Sequence, residues 1–273
     1  SLPALYAIHI EHGLQAAAKG WPDHCRQVCA GLGVPLLIEK VEVQRSSSSL
    51  ERAARNARYQ AFERLLAPAE VLLTAQHRDD QAETLLFRLL RGSGLKGLAG
   101  MPSHRALGAG SLLRPLLEVS RSELQVYAQQ HQLVWVEDPS NEDLQYSRNY
   151  LRHQVLPLLA ERWPAVSTVL ARTAEHLAEA QSLLDELAAQ DLPTLEQVAQ
   201  PGWLPLPSLD FSALKLLSEA RQRNALRAFL APLTELPDSA HWAGWYAMRD
   251  ATIDAQPLWR LAQGELRRCD NRL

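Results

Sequence analysis

Four side chains able to carry charge or move a proton fall within seven residues: His77, Asp79, Asp80 and Glu83, in the run H-R-D-D-Q-A-E. Carboxylates beside an imidazole can act as general acid and base. Hard oxygen ligands of this type also suit a magnesium ion that arrives on a phosphate. Asp79 and Asp80 have a simpler reading as helix caps, because acidic groups at a helix N-terminus meet its unpaired N–H groups and its dipole. Capping does not account for His77 and Glu83 in the same seven residues.

The neighbouring residues supply the elements that position this cluster. Val71, Leu72, Leu73, Thr74 and Ala75 form a short apolar run of the kind found in a fully buried parallel strand. Beyond His77 the pattern becomes helical. Ala82, Leu85, Leu86 and Leu89 fall at i, i+3, i+4 and i+7 and form one apolar face, with Asp80, Thr84, Arg88 and Arg91 opposite. Gly92-Ser93-Gly94 predicts the end of that helix. Strand, polar turn and helix put the cluster at the carboxyl end of a strand, where open α/β sheets bind their ligands.

The run from His77 to Met101, H-R-D-D-Q-A-E-T-L-L-F-R-L-L-R-G-S-G-L-K-G-L-A-G-M, closely resembles the tRNA(Ile)-lysidine synthase family of N-type ATP pyrophosphatases (PP-loop enzymes). Three further stretches are similar to the same family: I-H-I-E-H-G-L at 8–14, A-R-N-A-R-Y at 54–59 and D-P-S-N-E-D-L-Q-Y-S-R-N-Y-L-R at 138–152. The fold so implied is an α/β domain with a parallel sheet, of the adenine-nucleotide α-hydrolase type, over 1–157, followed by a small mainly helical substrate- or tRNA-binding domain over 158–273.

The implied activity is ATP-dependent joining of L-lysine to C2 of the wobble cytidine in a tRNA(Ile) with a CAU anticodon, through an adenylated tRNA. The resemblance makes Asp80, Glu83, His77 and Arg148 the catalytic set, with Asp80 as a ligand for Mg2+. It places His9, His12, Gly13, Arg55 and Arg58 around ATP, and Arg88, Asn149 and Arg152 on the tRNA or substrate. Guanidinium suits phosphate because its planar donors meet two oxygens at once. By residue type alone the readings are plainer. His9 and His12 are strand-edge residues, Arg52, Arg55 and Arg58 a solvated basic face, and Arg148 a surface partner for Glu142 or Asp143.

The family's S-G-G-x-D-S phosphate loop, which precedes the I-H-x-x-H-G-L strand, is not in this sequence. The C-terminal domains that bind the tRNA acceptor are missing at least in part. The chain opens at Ser1 without an initiator Met and enters a strand almost at once. The expectation is an N-terminally incomplete catalytic domain, catalytically impaired on its own. Two other readings compete: a thiolase-type PP-loop enzyme, whose C-x-x-C motif is absent, and a tRNA-binding fragment without activity.

Elsewhere the pattern is ordinary. A strand at 5–10, a helix at 20–32 closed by Gly33 and a strand at 35–43 predict a right-handed parallel crossover. A helix over 50–66 carries small residues at 53, 54, 57 and 61. The stretch 102–111 reads as an irregular loop, and 112–117 as a strand. Ser120 and Glu123 have capping-box spacing for the next helix. Downstream, helices are predicted over 164–190, 211–230 and 239–249, then two short strands joined at Gly264. Tryptophans 163, 203, 242 and 245 read as packing residues.

The 273 residues carry a net charge of −3, so nothing global announces a nucleic-acid partner and a local basic patch would have to serve. Three cysteines argue against a disulfide framework and fit a reducing cytoplasm. Cys25 and Cys29 lack the further ligands of a zinc site. No apolar run is long enough to span a membrane. A homodimer is an allowed assembly.

Overall fold

A parallel crossover forms the first stretch of the fold. The computed structural model describes residues 5–13, 20–43, 50–196, 206–235, 242–252 and 255–273. Strand β1 (Ala7–Glu11) and strand β2 (Leu36–Lys40) pair in parallel, Ala7 facing Leu36 and Glu11 facing Lys40. Helix α1 (Trp21–Leu32) connects them, and Gly33 ends it in the left-handed region at φ 65°, as a C-terminal glycine does. Helix α2 (Leu50–Leu65) leads to strand β3 (Val71–Leu73).

β3 runs parallel to β5 (Gly110–Leu113), and β4 (His104–Leu107) pairs antiparallel with β5, giving the order β3-β5-β4. This hairpin lies where glycine and proline content predicts only a loop. Its turn uses Gly108 at φ 56°, and a Cβ there would stand 2.6 Å from the Glu63 carbonyl. The turn is thus packed on α2, and pairing of Leu107 with Gly110 follows. Pro115 lies beyond the strand, which stops at Leu113.

Phe62, Leu66, Leu107 and Leu112 form the core under these strands, with Ile8, Ile10, Tyr59 and Leu72 against it. β3 is not fully buried: Val71 is 50% and Leu73 53% exposed. The physical reason is a missing neighbour. Among the described residues β1 pairs only with β2, and β3 only with β5. Between their open edges lies a groove of about 840 Å³, walled by Leu5–Ile8 and Ala69–Thr74 and floored by Phe62 and Leu66. The Tyr6 hydroxyl donates to Glu70 Oε2 at 3.0 Å.

Helix α3 (Arg78–Leu90) follows β3, then the short α4 (Leu95–Leu98) and α5 (Arg121–Gln130). α3 buries Gln81 to Leu85 together, so Glu83 and Thr84 go inside while Leu89 stays 53% exposed. The burial stripe is therefore rotated from the one its leucines predict. α5 has the expected capping box, Ser120 Oγ accepting from Glu123 N and Glu123 Oε2 from Ser120 N. A 3-10 turn (Pro139–Glu142), helix α6 (Ser147–Tyr150), a π turn (Leu151–Val155) and α7 (Leu156–Arg162) bring the chain to the long helix α8 (Val166–Leu195).

Chain contacts divide the molecule into two compact units, Ser1–Ala178 and Glu179–Leu273. The second holds α9 (Phe211–Leu216), α10 (Glu219–Leu230), α11 (Ala243–Asp250) and the antiparallel pair β6 (Leu258–Leu261) and β7 (Gly264–Arg267). The single helix predicted over 211–230 is two, because Leu217 and Ser218 take extended backbone. Trp242, Trp245 and Trp259 are all buried in this unit's core. Trp163 instead stands 60% exposed, which leaves for it only the interface form of the expected packing role. Trp203 and the predicted helix start near 239 lie outside the described residues. No described helix is long and apolar enough to cross a membrane.

Candidate functional site

The N-terminus of α3 organises the site. His77 is the N-cap: its Nδ1 accepts from Asp80 N at 3.4 Å, while Asp80 Oδ2 accepts from His77 N at 3.0 Å. Capping therefore does use Asp80, as the simpler reading expects, but only one of its oxygens. Asp79 turns to α5, where its Oδ2 accepts from Arg121 N at 2.8 Å.

Helical spacing then sets Asp80 and Glu83 on one side, and Arg152 of the π turn meets both. Its Nε donates to Glu83 Oε1 at 2.6 Å, and its Nη2 to Glu83 Oε2 at 2.9 Å and Asp80 Oδ1 at 3.2 Å. Glu83 is 1% exposed. Burial pushes its carboxyl above the usual range, opposed by the bond and charge of Arg152. For Arg152, burial alone would lower the guanidinium, but Glu83, Asp80 and Asp79 outweigh it and hold it firmly charged. Arg148, one turn earlier, places Nη2 3.4 Å from Thr84 Oγ1 and its guanidinium 5.9 Å from the Phe87 ring. It makes no pair with Glu142 or Asp143.

A second cluster gathers at the end of β1. His9 Nδ1 lies 3.6 Å from Cys25 Sγ. His12 Nδ1 is buried with no hydrogen-bond partner among the described residues. Burial depresses both imidazoles, with Arg58 also lowering His12 and Asp138 opposing. Gly13 follows at φ 61° with open space around its Cα, a conformation that favours glycine. Arg58 is pulled down chiefly by burial, then by Arg55. The Arg55 guanidinium itself sits 4.9 Å from the Tyr59 ring centroid.

Arg88 and Asn149 serve the chain itself. Arg88 Nη1 donates to the carbonyls of Gly97 and Gly100, at 2.6 and 2.9 Å. Asn149 Nδ2 donates to those of Ser140 and Asp143, at 2.7 and 2.9 Å. The structure thus places these two expected tRNA contacts as braces, one under the glycine-rich loop after α3 and one under the acidic turn before α6.

The sequence reading missed several residues. Arg114, 4% exposed, donates to Gln76 Oε1 at 3.1 Å and to the Pro102 carbonyl at 2.6 Å. Gln81 clasps Met101, accepting from its N at 2.7 Å and donating to its carbonyl at 2.9 Å. Asp138 had a signal, its place in the second acidic run, but only the fold reveals His12 beside it. Among the described residues no group of three His, Cys, Asp or Glu could hold a metal by itself. Asp80 already receives an N–H on each oxygen. This donor set fits an ion delivered on phosphate oxygens, with Asp80 adding one ligand, and not a resident protein cage.

The PP-loop domain profile matches residues 1–159, more than half of the chain. The chain belongs to the PP-loop family. A second profile, the TilS substrate binding domain, matches residues 209–273. The tRNA(Ile)-lysidine synthase of Pseudomonas fluorescens (strain Pf0-1) is 60% identical over 273 residues, all of this chain and 62% of that protein. That of Alkalilimnicola ehrlichii is 48% identical, covering 98% of this chain and 59% of its own length. The PP-loop chain therefore spans about 60% of the relatives it matches. Among solved structures, the U34-tRNA thiolase NcsA from Methanococcus maripaludis aligns with a TM-score of 0.52 at 17% identity, covering 64% of this chain and 61% of its own. At that identity the likeness establishes the fold alone.

Proposed function

We propose that this PP-loop chain is the nucleotide- and anticodon-handling region of an enzyme that makes lysidine. ATP adenylates the C2 oxygen of the wobble cytidine in a tRNA(Ile) with a CAU anticodon. The ε-amine of free lysine then attacks C2 and AMP leaves. The observation that carries the reading is the half-buried Asp80–Glu83–Arg152 group at the carboxyl end of β3, beside arginines without carboxylate partners among the described residues. The identity to lysidine synthases supports the same substrates, and the TilS substrate binding domain match supports a tRNA-contacting role for the helical region.

Each residue has its own task. Arg55, Arg58, His9, His12 and Gly13 surround the nucleotide, where neutral imidazoles donate to phosphate or ribose without adding charge. Asp80 and Glu83, with His77, receive the lysine ammonium and its proton. Arg152 is a positioning residue that aims both carboxylates. Arg148, with no carboxylate partner among the described residues, meets charge that develops as pyrophosphate or AMP departs. A magnesium ion carried on the phosphates would neutralise their charge. Arg88 and Asn149 contribute by holding the loops against which the anticodon rests. Such an enzyme works in the cytoplasm, with its tRNA.

The groove between β1 and β3 takes one more parallel strand, since strands lie about 4.8 Å apart and both edges offer backbone groups unpaired among the described residues. We assign that strand to sequence that the relatives carry beyond the matched stretch, and to it the backbone donors for pyrophosphate. Incubating the chain, and a polypeptide extended by such a strand, with ATP, radiolabelled lysine and the tRNA transcript tests the reading. Lysidine from the extended protein, reduced about 10²–10⁴-fold by Asp80→Asn, is the expected result. An Asp80→Asn protein that retains full turnover sinks the assignment.

A further inference from the structure

Arg55, Arg58, Arg88, Arg105, Arg114 and Arg148 are among the arginines of the first unit that have no carboxylate within 4.0 Å among the described residues. Three of them converge on one ring. Arg55 and Arg105 hold their guanidiniums 4.9 and 5.2 Å from the Tyr59 centroid. Arg114 lies near enough to act on the Tyr59 phenol. The group continues inward: Arg88 feels the charges of Arg148, Arg55 and Arg114 after the cost of its own burial. Tyr59 is tuned by the same neighbours. Burial pushes its phenol up, but Arg55, Arg114 and Arg105 together draw it down.

Like charges gathered without counter-charges cost free energy in the free protein. The cost is offset when an anion binds there, and guanidiniums around an aromatic ring suit a phosphodiester chain with its bases. We infer that Arg105 and the Tyr59 ring form a subsite for the RNA backbone beside the lysidine-forming centre, with the buried Arg114 behind them as a positioning residue. The inference rests on the function proposed above. Placement favours RNA over the nucleotide. Arg105 lies on β4, the outer strand of the β3-β5-β4 sheet, two strand spacings, about 10 Å, from β3. A line of guanidiniums from the α3 carboxylates to the rim of the sheet serves a polymer entering from outside. A compact triphosphate has no use for the cation at the rim.

The test uses the whole chain, a fluorescently labelled tRNA(Ile) transcript with the CAU anticodon, and a fluorescent ATP analogue. Arg105→Gln is chosen because Arg105 bonds only the adjacent Ala106 carbonyl among the described residues, at 3.0 Å, and so tests charge with little risk to folding. Arg105→Gln should weaken tRNA binding roughly threefold to tenfold and reduce the salt slope by about 0.7–0.9, the signature of one lost phosphate contact. Arg105→Lys should restore most of the affinity, and ATP binding should not change in either variant. Loss of ATP affinity with tRNA affinity retained would reassign the subsite to the nucleotide and overturn the inference. Unchanged tRNA affinity in Arg105→Gln, against clear wild-type binding, would overturn the subsite alone. Absence of tRNA binding by the wild-type chain would overturn the functional reading with it.

Discussion

Glu83 and Arg152 tie α3 to the π turn through a pair almost without solvent on the carboxylate side. Removing the guanidinium leaves a buried charge alone, which costs about 3–5 kcal/mol. Arg152→Met should lose that much in urea unfolding, while a Glu83→Leu, Arg152→Met double variant should return close to wild-type stability without activity. Equal losses in the single and double variants would show that the pair is not coupled. The sign with pH follows from burial: Glu83 has a raised folded pKa, so its contribution is fully present at low pH and is lost as pH rises through that value. That slope should steepen in Arg152→Met, where burial acts unopposed. His12 works the other way. Its folded pKa lies below 6.5, so its contribution is present above 6.5 and lost as pH falls through the lowered value. His12→Gln should flatten the stability slope as pH falls below 6.5; an unchanged slope would remove His12 as its source. His77, Asp80 and Glu83 were legible because type and spacing on one helix suffice. Asp138 and Arg114 were not, since their meaning depends on who faces them across the fold.

At the scale of elements, the caps and glycines do the positioning. Gly110 opens β5, and a Cβ there would come 2.4 Å from the Glu70 carbonyl at the start of β3. Gly110→Ala must push β3 and β5 apart, at about 1–3 kcal/mol for overpacking. In a unit of this size the melting temperature should fall by roughly 2–10 °C. Activity should fall further than stability, because β5 leads to Arg114 and through it to Gln76, the residue before His77. A melting temperature within error of wild type would mean that the hairpin yields freely. Helices α1, α2, α3 and α5 could be read from the sequence because apolar spacing, Gly33 and the Ser120–Glu123 box are local signals. The β4–β5 hairpin could not, since its turn is fixed by contact with Glu63 on another helix. The break at Ser218 was also hidden, because the apolar period runs on across it.

At the scale of the whole molecule, the open edges of β1 and β3 bear most on function. A sequence run as apolar as Val71 to Ala75 predicts strands on both sides, and the exposure of Val71 and Leu73 marks the side where no described strand pairs. The apolar pattern of the run could not foresee this, because burial of a strand is set by partners far away in the chain; only the family resemblance, through its missing phosphate loop, pointed to an incomplete sheet. If one further strand fills the groove, the amides of Ile8, Ile10, Val71 and Leu73, which alternate with those turned to β2 and β5, should exchange with solvent rapidly in the chain of 273 residues. In a polypeptide extended by that strand the same amides should become protected by orders of magnitude, since buried sheet hydrogen bonds open only with the unit as a whole. The extension should also raise the stability of the first unit, by removing apolar surface of Leu5, Val71 and Leu73 from water. Hydrogen exchange read by mass spectrometry checks both forms. Protection already present in the shorter chain would mean that the edges are closed by its own residues, and the phosphate donors would have to be sought elsewhere in the fold.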